Sequence, residues 1–501
     1  MTRVVIGADI GSSTLKAVVV CEERGILAVD ERPYPMLRPH PGWAENDAEH
    51  WWTALVDAVA NLLDASGTPA RDVKALCVSS QRDIAVLMDG DGQPLSHCIH
   101  WTDRRDPEET AALYETLGMD WLIDTSGTLP IPGLILPNLV WSKRHLPEAW
   151  ANAKCALTPK DFIGLRLTGV RNTDPTGTTR SILSDWRTGG WSDEICSRTG
   201  IDRELLPNIE CAAWQVKGEL LAEPAAQLGL LPGTIIAGGG GDDQSAMLGC
   251  GLIDAGDLSI GCSSSTSLRI IATEPVFDET GMIGVCPHVV PDRYIGEIVV
   301  TGPGTSLRWF RETLGADTDF ESLIAEAGAL DAGSDGLLAF PYLEGTTVPV
   351  QRPNARAAFL RVDAYHQRAH FTRSLLEGVA YQYPRLFQII EERGHSIARI
   401  TLSDGEARSA IWNQIKADVT GREIRATTVA EAPAVGSAIN AGVAAGVFAN
   451  HRAAIEAVVK PAVVYSPDAV AHERYRELLR EWEQASEIVL AIPPARRGRG
   501  A

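Results

Sequence analysis

Residues 4–20 read VVIGADIGSSTLKAVVV. Two β-rich runs flank a turn of Gly, Ser and Thr, which predicts two strands joined by a small polar loop. Residues 256–272, GDLSIGCSSSTSLRIIA, repeat that design with little identity. Each half of the chain is therefore expected to open on a strand–polar turn–strand unit, with the boundary near 250–256. Outward from these units, strand-like and helix-like stretches alternate. Residues 47–63 read as a helix, VKALCVSS (73–80) and AVLMD (85–89) as strands. TIIAG (234–238) reads as a strand that runs into four glycines, and DDQSAMLGCG then looks helical as far as its own glycines. In the second half 366–393 is the longest helical candidate, 398–421 reads strand–turn–helix, and 437–448 is a helix of small residues able to pack closely. This alternation is the signature of the α/β class. The expected division is 1–253, 254–450 and a helical tail over 451–501.

The 501 residues are 45% hydrophobic and 22% charged, an ordinary globular balance. A net charge of −20 gives no electrostatic reason to grip nucleic acid or an anionic membrane. Nine scattered cysteines, an odd number without C-x-x-C spacing, suit free thiols in a reducing cytoplasm better than disulfides or a zinc site. The N-terminus enters a strand pattern directly and lacks the apolar core of a signal peptide.

Four segments carry candidate chemistry. In ADIGSSTLK (8–16) the glycine lets backbone amides converge on an anion, Ser12, Ser13 and Thr14 add hydroxyls, and Lys16 adds positive charge. Asp9, at the strand end, suits Mg²⁺ held through water. Alone, the segment reads equally well as a hairpin turn. In IIAGGGGDDQSAMLGCG (235–251), Asp242 follows the glycines; it is either the N-cap of a helix or a general base that takes a hydroxyl proton. SSQRDIAV (79–86) and IHWTDRR (99–105) set Gln81, Arg82 and Asp83, then Trp101, Asp103 and Arg105, side by side. Bidentate polar groups and a flat aromatic suit vicinal hydroxyls and a sugar's carbon face. LSDGEARS (402–409) offers a glycine between strand and helix, where a nucleotide can lie. The GxGxxG and GxxxxGK[ST] motifs are absent, so hydride-transfer and P-loop readings have no local support.

Taken in order, these motifs resemble the FGGY carbohydrate kinases, which include xylulose, glycerol, ribulose and gluconate kinases. The likeness covers about residues 4 to 448. It runs through DIGSSTLKA, SSQRD, HWTDRR, PKDFIGLRLTG and TDPTGTTRSILSDWRTGGW, then AGGGGDDQSAMLGCG, PYLEGTTVPVQRPNARAAF, HFTRSLLEGVAYQY, DGEARSAIWNQIKADVTG and EAPAVGSAINAG. The resemblance implies a two-lobed actin-like (ribonuclease H-like) ATPase fold with nucleotide and sugar in the interlobe cleft. The N-terminal lobe would bind the sugar and the second lobe the nucleotide. It implies ATP and Mg²⁺ as cofactors, Asp242 as catalytic base, and Asp9 as the Mg²⁺-linked aspartate. Gln81, Arg82, Asp83, Trp101 and Asp103 become substrate residues. Gly11, Ser12, Ser13, Thr14, Lys16, Gly261, Cys262, Ser263, Gly302, Gly405, Glu406 and Ala407 become the nucleotide set. The implied partner is a small sugar or polyol, and a homodimer is compatible with the family.

Two departures stand out. Cys262 follows Gly261 where the family usually has Thr, and Glu406 stands in a loop that usually reads G-G-A. A glutamate beside a phosphate is unfavourable unless it turns away. Gln81-Arg82-Asp83 is closer to the Gln-Arg-Glu of glycerol kinases than to the Gln-Met-His of xylulose kinases. The Gly-rich segment and the second half look more like xylulose kinases, which leaves a ketopentose and a short polyol both open. A silent sugar sensor and an actin-like ATPase acting on a protein are the rival classes.

Overall fold

The computed structural model describes residues 3–105, 107–262, 265–300, 302–315, 318–348, 350–403 and 405–493. They group into two compact units. The first is Met1–Ile253 with Thr273–Gly296 and Glu431–Lys460; the second is Asp254–Ala272 with Glu297–Ala430 and the chain from Pro461.

In the first unit six strands lie in the spatial order Gly25–Pro33, Thr14–Cys21, Val4–Ile10, Val73–Ser80, Ile235–Ala237, Val216–Glu219. The expected hairpin forms, with Asp9 opposite Lys16. Val73–Ser80 runs parallel to Val4–Ile10, which sets Asp9 beside Ser79. Both faces of Val4–Ile10 are buried. Val4, Ile6, Ala8 and Ile10 point to one face and share a core with Trp51, Leu55 and Leu62 of the helix Ala48–Ser66. Gly7 points to the other face, where a Cβ would come within 2.0 Å of Ala434 O and 2.3 Å of Ala438 N. Only glycine lets the helix Ala432–Ala444 approach the strand backbone this closely. Asp9 follows Gly7 by two and takes the same face.

The second unit repeats the plan. The strands of its sheet lie in the order Gly284–Pro287, Tyr294–Val300, Thr266–Ala272, Asp257–Cys262, Arg399–Ser403, Ile424–Ala426, Val463–Tyr465. Here too an antiparallel hairpin is followed by two parallel neighbours and an antiparallel edge strand. In the first unit the same sequence of pairings holds.

Two expectations are corrected. The single helix over 366–393 is two, Arg368–Ala380 and Tyr383–Glu392. Pro384 has no N–H to offer Ala380 O, so the helical ladder breaks there. The separate tail over 451–501 does not exist as such: His451–Val458 belongs to the first unit, whereas Val463–Tyr465 and Ala469–Ala491 belong to the second. The latter helix is anchored by Trp482, whose indole N–H donates to Ala339 O at 2.9 Å. Among the described residues no helix is long and apolar enough to cross a membrane.

Candidate active site

The first unit gathers its polar residues where strands Val4–Ile10 and Val73–Ser80 end. Buried Asp9 accepts a 2.7 Å hydrogen bond from Ser79 Oγ. Burial pushes the Asp9 carboxyl up to about 6, against the pull of Ser79 and Lys16 and with help from the charges of Asp243 and Glu431. Lys16 Nζ lies 2.7 Å from Glu431 Oε2. Burial works against the ammonium, yet Glu431 holds it above the usual lysine range.

The turn after Asp9 closes through Gly11 N to Thr14 O at 3.1 Å. Tyr34 OH donates to Gly11 O, and Asn46 Nδ2 to Ser12 O at 3.2 Å. Ser13 is exposed at its tip. The expected substrate residues reach the same turn. Ser12 Oγ donates to Gln81 Oε1 and accepts from Trp101 Nε1, both at 3.4 Å. Gln81 Nε2 also donates to Gly11 O at 3.4 Å.

Arg82 and Asp83 do not pair with each other. Buried Arg82 donates to Asp243 Oδ2 at 2.7 Å and reaches Thr179 Oγ1 and Cys286 Sγ, each at 3.2 Å. Asp83 instead accepts from Arg180 Nε at 2.8 Å. Asp103 serves the scaffold. Its oxygens take Ala44 N at 2.6 Å, Arg105 N at 2.7 Å, and Arg105 Nε and Nη2 at 2.9 and 2.8 Å. That fills the four lone-pair sites of a carboxylate. Asp103 therefore shapes the loop that carries Trp101.

Gly238–Gly241 bring the second carboxylate to this place. Gly239 has φ +73, and a Cβ there would lie 2.1 Å from Val78 O. Ser80 N donates to Gly240 O at 3.2 Å, so the glycine loop closes onto the strand end that carries Gln81. The helix Asp242–Gly249 then begins, and its N-cap is Gly241. Asp242 is thus not the cap but the first helical residue, and its Oδ1 accepts from Asp243 N at 2.9 Å. Burial holds the Asp242 carboxyl well above the usual range, with the charges of Asp243 and Asp9 adding to it and Arg82 opposing.

These positions set a buried carboxylate of raised proton affinity near a polar turn of main-chain and hydroxyl groups. Residues 4–249 match the N-terminal domain, and 258–445 the C-terminal domain, of the FGGY family of carbohydrate kinases. The chain belongs to that family. It is 30% identical to xylulose kinase of Bacillus subtilis (strain 168) over 478 residues, covering 95% of each chain. It is 27% identical to glycerol kinase of Nocardia farcinica, covering 90% of this chain and 92% of the relative. The crystal structure of xylulose kinase from Rhodospirillum rubrum superposes with a TM-score of 0.89 at 27% identity, over 97% of this chain and 99% of that one. The fold of this FGGY kinase is accordingly the two-domain actin-like ATPase fold, and the kinase phosphorylates a sugar hydroxyl.

The second unit of the kinase holds the rest of the expected nucleotide residues. Gly261 stands opposite Ser267 and beside Ser403 in the sheet. The Gly405–Arg408 turn follows Ser403 closely and is fixed by Asn413 Nδ2, which donates to Ala407 O at 2.9 Å. Gly302 is the N-cap of the helix Pro303–Leu314, with φ +94. Ser263 and the side chains of Cys262 and Glu406 lie outside the described residues. Sequence reasoning passed over Glu431, Ser79, Thr179 and Arg180, whose partners are distant in sequence.

Among the described residues no three His, Cys, Asp or Glu side chains form a ready metal centre. The donor set still fits a magnesium ion held through water: besides burial, the charge of Asp243 raises the proton affinity of Asp9, and the charges of Asp243 and Asp9 raise that of Asp242. The nearby cations Arg82 and Lys16 are already in ion pairs. A dication would relieve that crowding.

Proposed function

We propose that this kinase uses ATP with Mg²⁺ to phosphorylate a ketopentose of the xylulose type, with Asp242 as general base. The observation that carries the reading is the place of Asp242, buried at the start of its helix near Asp9 and Asp243, where burial first and those charges next lift its proton affinity, as suits a base. In this reading Gln81, Arg82, Asp83 and Trp101 orient the sugar so that its reacting hydroxyl faces Asp242. The Gly11–Thr14 turn offers amides and hydroxyls to transferring phosphate oxygens. Asp9 holds the water shell of Mg²⁺, which when bound supplies neutralising charge to the phosphates. The second unit contributes nucleotide-binding turns at Gly261, Gly302 and Gly405–Ala407. The xylulose kinase relatives support a ketopentose. Scattered cysteines without C-x-x-C spacing support a reducing, cytoplasmic setting.

A short polyol is the second reading, favoured by Gln81-Arg82-Asp83 and by the glycerol kinase relative. Coupled ADP release across ketopentoses, tetritols, pentitols, glycerol and gluconate separates the two. Fastest turnover on a ketopentose is expected, and faster turnover on glycerol or a tetritol reassigns the substrate. Asp242→Asn should lose turnover by a factor on the order of 10²–10⁴ while still binding sugar. Near-parental turnover in that variant removes Asp242 from the mechanism.

A further inference from the structure

The first unit contains a buried chain of charges and hydroxyls that the proposed mechanism leaves unused, and it meets the expected sugar residues through Thr179 Oγ1, which accepts from Arg82 Nη1 and donates to Thr176 O. Lys160, Asp161 and Asp174 are each almost fully buried. Lys160 Nζ lies 2.7 Å from Asp161 Oδ1 and 3.0 Å from Asp174 Oδ1. Asp161 also accepts from Thr158 Oγ1 at 2.7 Å and Thr173 Oγ1 at 2.6 Å, and buried Lys217 Nζ stands 3.5 Å from it. Two cations and two anions thus neutralise one another away from water.

One of its links runs to the residue before Asp242. Asp174 Oδ2 accepts from Thr176 Oγ1 at 2.7 Å, and the same Thr176 oxygen accepts from Gly241 N, also at 2.7 Å. A hydroxyl has a single proton. Because the buried anion Asp174 takes that proton, a lone pair of Thr176 Oγ1 is left aimed at the Gly241 amide. Gly241 is the N-cap of the helix that starts with Asp242, and it has no side chain with which to cap that helix. Lys160 ties the far end to the sugar-side strand through its N–H, which donates to Ser80 Oγ at 3.2 Å.

We propose that Thr176, with its hydroxyl oriented by the Lys160–Asp174 pair, is a positioning residue for Asp242. It fixes the amide one residue before the base and so sets where the carboxylate meets the sugar hydroxyl. The inference rests on Asp242 being the base.

Thr176→Val keeps the shape and removes the acceptor. In the full-length enzyme it should lower kcat about 10–100-fold, the scale of a small misplacement, with the KM for sugar within about threefold of the parent. Thr176→Ser restores the hydroxyl and should bring kcat back to within about threefold. Thermal melting of each variant gives the folded fraction, so that kcat is counted per folded molecule. If Thr176→Val is not recovered folded, Thr176→Cys, which fits the space but accepts weakly, takes its place with the same expectation. The proposal is overturned if kcat stays within about twofold of the parent, if sugar KM rises as steeply as kcat falls, or if serine fails to restore turnover. Asp242→Asn assayed in parallel separates the two ideas. An inactive Asp242→Asn beside a fully active Thr176→Val sinks only the positioning role, whereas an active Asp242→Asn sinks the base itself.

Discussion

The two hairpins that open the two units share one frame and differ in what they load onto it. In the first, Asp9 stands opposite Lys16 and beside Ser79. In the second, the corresponding place is held by Gly261, opposite Ser267 and beside Ser403. The first strand end carries a carboxylate, and the described residues at the matching place of the second are glycine and serine. The surrounding acids differ in the same sense. In the second unit Asp257 takes two bonds from Arg399, at 2.8 and 2.5 Å, and Glu297 is paired with Arg269 at 2.9 Å. In the first, the charges of Asp243 and Asp9 add to burial in raising the proton affinity of Asp242, with Arg82 opposing. The two halves of a repeated fold thus present different side chains at the same place.

The sharpest way to break this contrast is to strip the first hairpin of its charge. Asp9→Asn should lower kcat on the order of 10²–10³-fold and raise the Mg²⁺ concentration needed for half-maximal rate, with sugar KM little changed. A steady-state titration of Mg²⁺ at saturating sugar reads both. If turnover survives, the charged hairpin is decoration and the two halves are equivalent.

The smaller complementary effect lies in the second hairpin. Gly261→Ala adds one methyl group where close backbone approach is required of a phosphate turn. The KM for nucleotide should rise roughly tenfold while that for sugar stays put. Equal shifts in both constants would mean that the halves do not divide the ligands as proposed.

Much of the frame was legible because it is local. Each hairpin is a β-rich run, a polar turn and a second β-rich run, and a two-residue period reports it within about a dozen residues. The glycines at 238–241 announce a crowded backbone, and Val78 O beside Gly239 is the crowding. What was not legible depends on residues the fold brings from afar. Arg82 finds Asp243 across 161 positions, and Lys16 finds Glu431 from the far end of the chain. No change of composition marks the return of Glu431–Lys460 to the first unit. The break at Pro384 was visible but masked, since apolar residues continue through it at helical spacing. Asp242 read more readily as a helix cap than as a base, because Asp is favoured at the cap. The backbone removes the cap reading by making Gly241 the cap.

The finest test concerns the crowding itself. Burial is the largest cause of the raised proton affinity of Asp242, and the charge on Asp243 is the next. A base works deprotonated, so kcat/KM falls as pH drops through its pKa. Asp243→Asn removes the neighbouring charge and releases the Arg82 guanidinium from its 2.7 Å bond, and both changes favour the anion of Asp242. The acidic limb of the kcat/KM profile should therefore move to lower pH, by about half a unit to one unit. Sugar KM should rise modestly as well, since Arg82 loses the partner that orients it. A limb that stays where it was leaves burial alone to set the base. A limb that moves upward contradicts the sign of the Asp243 charge and would place the controlling group elsewhere.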